Sequence, residues 1–335
     1  MLYIHCGLHK TGSTAIQQTL QRDSKPEINY EHSGYWNLRQ KIINEKWASS
    51  IIKSAAQNNL IISSESTLGS MANVYDDAAE KINSIKSLFK DLDYCLIIYF
   101  RPHLPWLESV YTQLIHQGES LSPLDFISNV ADRPYLNFTK LAELLIDTFD
   151  SQRLILRRYP GGSCAVKDFY SVLNITPPQF EAPRTNPSLS PARLSIMREL
   201  NKISSQQESR QFRKLLQREI EPLHTSIKTS PFPEDIQISI QQRFENDWES
   251  LKPYLQNSSV ESEKQTRPFR YAGSSVHNPE VVNEALHVIR QVSINQRPSY
   301  VNSTLFRRVL RKLKSDPLDL VPSITKHVRK RIFKQ

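Results

Sequence analysis

The first stretch of the chain that could support chemistry is Met1 to Ile16, MLYIHCGLHKTGSTAI. Its apolar run from Leu2 to Cys6 fits a buried parallel strand, and the residues from Ser13 to Leu20 fit an amphipathic helix. Between them, Gly7 and Gly12 bracket a tight turn that is rich in small hydroxyl residues. Such a loop points backbone N–H groups and the positive end of a helix dipole at one anion. The segment therefore predicts a phosphate-binding site.

The loop differs from the Walker A pattern of ATPases in the place of its lysine. Gly7 and Gly12 have the required separation, but Ser13 follows Gly12 directly, where the pattern needs a lysine. The lysine is Lys10, inside the loop, and no aspartate ends a later apolar strand to hold Mg²⁺. The sequence thus favours a cationic phosphate-binding loop that works without a metal.

A second group of residues follows the apolar run 94–100. Arg101 is followed after seven residues by Ser109, and Tyr111 comes two positions later. Together with the segment Lys10, Thr11, Gly12, Ser13, Thr14, this spacing resembles the sulfotransferases that use 3′-phosphoadenosine 5′-phosphosulfate (PAPS). The resemblance covers about residues 1 to 175.

The resemblance implies a role for each of these residues. Lys10 would contact the oxygen that bridges sulfur and the 5′-phosphate, because charge develops there as the bond breaks. Thr11, Gly12, Ser13 and Thr14 would bind the 5′-phosphate through N–H and hydroxyl donors. Arg101 and Ser109 would hold the 3′-phosphate, and the product would be 3′-phosphoadenosine 5′-phosphate.

A hydroxyl acceptor also needs a general base, because it loses its proton as the new S–O bond forms. We assign this role to Glu65, which follows the apolar run 60–62 and resembles the carboxylate that several carbohydrate sulfotransferases place here. Other members of the family use histidine, so His9, His103 and His116 compete with it. We expect His5, by contrast, to point into the sheet as a core residue with satisfied hydrogen bonds.

The fold predicted from the sequence is an α/β, P-loop NTPase-like parallel sheet flanked by helices, with a mostly helical C-terminal extension. Apolar runs at 2–6, 60–62 and 94–100 predict three strands, the segment 153–159 predicts a fourth, and helical patterns lie between them. Right-handed crossovers would bring the loops after all strands to one edge of the sheet. The first loop, Glu65 and Arg101 should therefore meet.

The predicted organisation has three parts: residues 1–175 as the PAPS-binding core, residues 176–303 as a helical acceptor-side region, and residues 304–335 as a basic tail. The middle part shows helical patterns at about 190–204, 207–221, 233–255 and 279–296. The tail carries ten Lys or Arg against two Asp, which is most of the net charge of +9. Its apolar residues recur at helical spacing, so it predicts a basic amphipathic segment that touches an anionic membrane surface, with docking on the rest of the protein as the alternative.

Composition limits the other classes of function. The chain shows no uninterrupted apolar run of membrane-spanning length and no signal peptide, and its three cysteines form no disulfide or zinc pattern. We therefore expect a cytoplasmic protein, peripheral at the inner membrane face through its tail. Zinc-finger spacing and aromatic RNA-binding runs are lacking, so no nucleic acid partner is expected.

Three functions remain open from the sequence. The first is a sulfotransferase that moves the sulfuryl group of PAPS to a hydroxyl of a glycan or glycoconjugate. The second is a P-loop kinase for a nucleotide or small molecule, and the third is a sulfotransferase-like binding protein without turnover. A Mg²⁺ requirement would favour the second, and transfer of labelled sulfate would exclude the third.

Overall fold

A computed structural model of the 335-residue chain describes part of the sequence. The described residues are 1–25, 29–32, 53, 59–161, 164–179, 189–202, 205–214, 216–217, 229–256 and 270–271. The predicted helix at 279–296 and the tail 304–335 lie outside this part of the chain.

The centre of the described fold is a five-stranded sheet in which every pair of neighbouring strands is parallel. The strands are β1 (Leu2–His5), β2 (Asn29–His32), β3 (Leu60–Ser63), β4 (Tyr94–Phe100) and β5 (Leu154–Arg158), in the order β2-β3-β1-β4-β5. All seven residues of β4 are buried, as expected of a strand that helices cover on both faces. The prediction of a parallel α/β sheet flanked by helices is confirmed.

The described residues contain nine α-helices of four or more residues. They are α1 (Ser13–Arg22), α2 (Ala78–Leu88), α3 (His103–Gln117), α4 (Pro123–Val130), α5 (Phe138–Thr148), α6 (Cys164–Val172), α7 (Pro191–Asn201), α8 (Gln206–Lys214) and α9 (Glu234–Leu251). A two-residue parallel pair joins β6 (Thr229–Ser230) to β7 (Arg270–Tyr271). Within this part of the chain, no helix is both long and apolar enough to cross a bilayer.

The helices α1 and α6 cover one face of the sheet because their apolar stripes meet the same strands. This layer buries Ile16, Leu20, Ile61, Ile97, Tyr99, Val166, Phe169, Tyr170 and Leu173. At about 25 cal/mol for each Å² of apolar surface removed from water, such a layer supplies much of the energy that holds α1 in place. The start of α1, which carries the loop of interest, is therefore anchored to the sheet.

The chain divides into two compact units. The first unit contains Met1–Trp106, Asn129–Arg184 and Ile240–Thr266, and therefore the whole five-stranded sheet. The second contains Leu107–Ser128, Thr185–Ser239 and Arg267–Gln335. The predicted boundaries after residues 175 and 303 remain predictions.

The strand order defines where a ligand would sit. The crossover after β1 leads toward the β2 edge, whereas the crossover after β4 leads toward the β5 edge, and these two strands are neighbours. Such a reversal opens a crevice at the carboxyl ends of the two strands. Because His5 pairs with Ile97, β4 continues for three residues beyond the end of β1, and Arg101 follows immediately.

Candidate functional site

The loop between β1 and α1 is shaped by two residues with left-handed backbone conformation. Lys10 has φ 68° and Gly12 has φ 86°, and α1 begins directly after Gly12 without a side-chain cap. No backbone N–H from Lys10 to Thr14 donates to another of the described residues. The first N–H groups of a helix have no acceptor within the helix. Here the N–H groups at the start of α1 therefore join those of the preceding turn as available donors. The arrangement is a set of donors suited to an anion.

Both loop glycines are required by space, and Gly12 is also required by conformation. A Cβ on Gly7 would lie 2.7 Å from Nε2 of His5, and a Cβ on Gly12 would lie 3.0 Å from a ring carbon of Tyr159. Gly12 also has the positive φ that side chains rarely adopt. Glycine at these two positions therefore lets His5 and Tyr159 pack directly against the loop backbone.

Three of the residues predicted for the site lie together in the structure. The guanidinium of Arg101 donates from Nη1 to the carbonyl oxygen of Lys10 at 3.2 Å. Burial lowers the pKa of Lys10, and the charge of Arg101 lowers it further, whereas the Glu65 carboxylate opposes both effects. Burial raises the pKa of Glu65, and the ammonium of Lys10 counteracts this. The two cations and one carboxylate thus share a partly buried site beside the loop.

The three hydroxyl residues of the loop have different surroundings. The Thr11 hydroxyl is buried and donates to the carbonyl oxygen of Leu8 at 2.5 Å, so it braces the loop from inside. The Ser13 hydroxyl lies close enough to the Glu65 carboxylate to lower its pKa. The hydroxyl nevertheless makes no hydrogen bond of good geometry to any described residue. Thr14 is exposed. The Thr11 hydroxyl is thus already engaged within the loop, whereas the Thr11 N–H has no acceptor among the described residues, and the role of Thr11 at the 5′-phosphate remains a prediction.

Arg101 is held by an aromatic ring that sequence reasoning did not single out. Its guanidinium carbon lies 5.5 Å from the centre of the ring of Tyr159, the residue that directly follows β5. The same ring also packs over Gly12. Ser109 is half-buried on α3 within the second unit, and its predicted role at the 3′-phosphate remains a prediction.

The histidines named as competing bases occupy distinct environments. His103 is buried between the rings of Phe138 and Phe244, at centroid distances of 4.2 and 4.4 Å, and its Nε2 lies 3.0 Å from Oδ2 of Asp247. This packing makes it a structural residue. His116 is buried on α3 in the second unit. His9 lies in the loop itself, where burial, with a smaller contribution from the Lys10 charge, lowers its pKa to about 4.

His5 was expected to be a satisfied core residue, and the structure bears this out only for one ring nitrogen. Its Nδ1 lies 2.8 Å from Oγ of Ser63, which also accepts from Gln17 at 3.2 Å. Its Nε2 is buried without a partner among the described residues and faces Gly7. Burial lowers the pKa of His5 to about 3, so the ring is neutral.

Sequence reasoning also missed the side chains that grip the loop from outside. Tyr75 and Trp106 both bond to the backbone of His9, across 66 and 97 residues of sequence respectively. No spacing rule predicts contacts of that range. The only local signal was Gly69, a turn residue that precedes Tyr75 in a segment without helical or strand periodicity.

No protein-family model matches the chain, and no curated protein matches it. Its function is therefore argued from the residues and geometry of this site.

Proposed function

We propose that this protein is a PAPS-dependent sulfotransferase that acts on a hydroxyl of a glycan or glycoconjugate. The observation that carries the proposal is the set of N–H groups from Lys10 to Thr14 that have no acceptor among the described residues, with the cations of Lys10 and Arg101 and the carboxylate of Glu65 beside it. In this proposal, the β1–loop–α1 unit is a phosphate loop of the P-loop type. The helices after residue 176 form the acceptor side.

The donor set fits a nucleotide with several anionic groups. The loop N–H groups would bind the 5′-phosphate, and charge-assisted bonds of this kind are about twice as strong as neutral ones. Lys10 would lie at the oxygen that bridges phosphorus and sulfur. Arg101, whose carbonyl contact and aromatic neighbour fix its orientation, would meet the 3′-phosphate.

The reaction is an in-line displacement at sulfur. The acceptor oxygen forms a bond to sulfur, and the bond from sulfur to the bridging oxygen breaks with its electron pair leaving on 3′-phosphoadenosine 5′-phosphate. Lys10 stabilises the negative charge that develops on this oxygen. The acceptor proton passes to Glu65, whose raised pKa brings it closer to that of a useful base at neutral pH.

The proposal is tested by incubating the purified chain with PAPS labelled in its sulfuryl group and a panel of saccharide acceptors. Label in a saccharide supports it. Binding of 3′-phosphoadenosine 5′-phosphate without transfer to any acceptor would point to a binding protein. Tighter binding of ATP, with transfer that requires Mg²⁺, would replace the proposal with the kinase alternative.

A second measurement addresses the role of Arg101. In Arg101→Ala, the affinity for 3′-phosphoadenosine 5′-phosphate should fall far more than the affinity for adenosine 5′-phosphosulfate, which lacks the 3′-phosphate. The difference isolates the 3′ contact, because any loosening of the loop through the Lys10 carbonyl affects both ligands. Equal losses would remove Arg101 from the 3′-phosphate.

A further inference from the structure

The segment between the 3-10 turn Glu65–Thr67 and α2 contains unusual backbone geometry. Val74 and Tyr75 are consecutive non-glycine residues with φ 47° and 60°, and both are fully buried. Left-handed conformations at such residues are energetically unfavourable and persist only where the surroundings impose them. Because strain of this kind concentrates at functional sites, we looked for a functional role of this segment in its contacts.

The surroundings of the segment show how the strain is maintained. The backbone N–H of Tyr75 donates to the carbonyl of Ser70 at 2.9 Å, and the N–H of Ser70 donates to Oδ1 of Asp77 at 3.0 Å. Gly69, with φ 137°, leaves room for this carboxylate, since a Cβ there would lie 2.5 Å from Oδ1. The turn is thus closed on itself and holds the Tyr75 ring in one orientation.

That orientation places the Tyr75 hydroxyl on the phosphate loop. Its oxygen accepts from the backbone N–H of His9 at 2.7 Å and lies 2.9 Å from Nδ1 of the same residue. The indole N–H of Trp106 donates to the His9 carbonyl at 2.9 Å, and Arg101 donates to the Lys10 carbonyl at 3.2 Å. The peptide groups before and after Lys10 are therefore both held by side chains.

Fixing these two carbonyls also aims the N–H groups. In a trans peptide the N–H points away from the C=O of the same unit, and the described residues contain no cis bond. The N–H groups of Lys10 and Thr11 are consequently turned to the side opposite Trp106 and Arg101. They are two of the five loop N–H groups that have no described acceptor.

The hydroxyl of Tyr75 also determines the tautomer of His9. The backbone N–H of His9 donates to the hydroxyl oxygen, so the phenolic proton needs an acceptor, and Nδ1 is the one within reach. A proton on Nδ1 would leave the phenolic proton of a fully buried side chain without a partner among the described residues. His9 is therefore a neutral ring with its proton on Nε2.

We propose that Tyr75 is a positioning residue of the phosphate loop: its hydroxyl fixes the His9 backbone and tautomer and so holds Lys10 and the adjacent N–H groups in the geometry that binds a phosphate. The gripping contacts are features of the structure, and the effect on turnover rests on the proposed function. Tyr75 acts through His9 and Lys10 and needs no contact with the substrate.

The test compares Tyr75→Phe with Tyr170→Phe. Each substitution removes one hydroxyl from a buried tyrosine and keeps the ring. Tyr170 is a matched control because it lies in the same unit and its hydroxyl donates to Oδ2 of Asp23 at 2.9 Å, away from the loop backbone. Both variants should lose similar thermal stability. Only Tyr75→Phe should lower the rate of sulfate transfer, by about 10- to 100-fold, because a small displacement of a catalytic group has an effect of this size. Its affinity for 3′-phosphoadenosine 5′-phosphate should fall less than its rate.

A spectroscopic measurement separates positioning from stability and needs no turnover. In ¹⁵N-histidine spectra of the wild-type protein, with His9 assigned by its loss in His9→Asn, the ring should carry its proton on Nε2 and stay neutral at pH 6. In Tyr75→Phe, the Nδ1 shift should move as its donor disappears. A proton on Nδ1 in the wild type would overturn the inference even if Tyr75→Phe fails to fold.

The outcomes also separate the inference from the proposed function. The proposed function is overturned if the wild-type protein neither binds 3′-phosphoadenosine 5′-phosphate nor transfers sulfate. In that case the His9 tautomer still tests whether the Tyr75 hydroxyl fixes His9. Wild-type protein that transfers sulfate, with Tyr75→Phe and Tyr170→Phe equally active, overturns the inference alone.

Discussion

At the scale of single residues, Lys10 combines an unusual backbone conformation with a perturbed pKa. It lies in a left-handed conformation, with burial and Arg101 lowering its pKa and Glu65 opposing them. A cation placed where charge develops is worth more in the transition state than in the ground state. We expect Lys10→Ala to lower kcat by about 10²- to 10³-fold while the affinity for 3′-phosphoadenosine 5′-phosphate falls by much less. Single-turnover rates and equilibrium binding check this.

The control for Lys10→Ala is Lys86→Ala, which removes an exposed lysine from the last turn of α2. It should leave both quantities at wild-type values. If Lys10→Ala also retained wild-type turnover, the assignment of the loop would be wrong.

Glu65 supplies a prediction about pH. A base must be ionised to accept a proton, and burial raises the pKa of Glu65 from its ordinary value, against the opposing charge of Lys10. The rate should therefore fall with decreasing pH, and the fall should begin at a higher pH than for an exposed glutamate of pKa about 4.3. Glu65→Gln should be slow at every pH and lack this acidic limb, with donor affinity little changed. A Glu65→Gln profile that keeps both the limb and the rate would remove Glu65 from the role of base.

At the scale of elements, the start of α5 shows how α9 holds the first unit together. The Asp247 carboxylate accepts from the backbone N–H groups of Phe138 and Thr139, at 2.8 and 3.0 Å, and lies 3.0 Å from Nε2 of His103. It thus caps a helix from a distant part of the chain, together with the local cap Asn137, whose side chain accepts from the N–H of Lys140. The same contacts explain why His103 is structural.

This cap predicts a pH-dependent loss of stability. Burial alone would raise the pKa of Asp247, but hydrogen bonds from His103 and Thr139 outweigh it, so the folded-state pKa is lowered. A carboxyl with a lowered pKa stabilises the fold above its unfolded value of about 3.9 and loses this contribution as pH falls through the folded value. Asp247→Asn should cost about 2 kcal/mol of unfolding free energy at pH 7, by analogy with hydrogen bonds to charged groups. Urea unfolding at several pH values measures it.

The matched control is Asp132→Asn, which removes the exposed partner of Arg243 in the same unit. A surface pair of this kind contributes about 0–1 kcal/mol. The difference between Asp247→Asn and the wild type should shrink below about pH 4. A difference that stays constant down to pH 3 would contradict the role assigned to the Asp247 charge.

The elements also show which features the sequence could predict. β1, β3 and β4 were recognisable because buried parallel strands require apolar runs, and β5 because its segment begins with Leu154, Ile155 and Leu156. The observed bounds of all four strands lie within one residue of the prediction. β2 was missed because Asn-Tyr-Glu-His is polar and half-buried at the edge of the sheet. The strained turn that carries Tyr75 was missed for a different reason: its conformation is imposed by hydrogen bonds across the turn and not by local propensity.

At the scale of the whole molecule, most of the positive net charge lies outside the described fold. The segment 304–335, which lies outside the described residues, carries +8 of the net +9. Phe306, Val309, Leu310 and Leu313 recur at helical spacing among arginines and lysines, which is typical of a helix that lies on a membrane surface. Each cation near an anionic bilayer contributes about 1 kcal/mol, and salt screens this attraction.

We therefore predict that the full chain sediments with vesicles that contain anionic lipid at low salt and is released at high salt. Deletion of residues 304–335 should abolish sedimentation, and so should replacement of Arg307, Arg308, Arg311 and Lys312 by Gln, which keeps the apolar residues. If the apolar face instead docks on the rest of the protein, full-length and truncated chains will be recovered equally, and the truncated chain will be less stable to heat. Binding to neutral vesicles that equals binding to anionic ones would contradict the electrostatic argument, because only the negative surface attracts the tail.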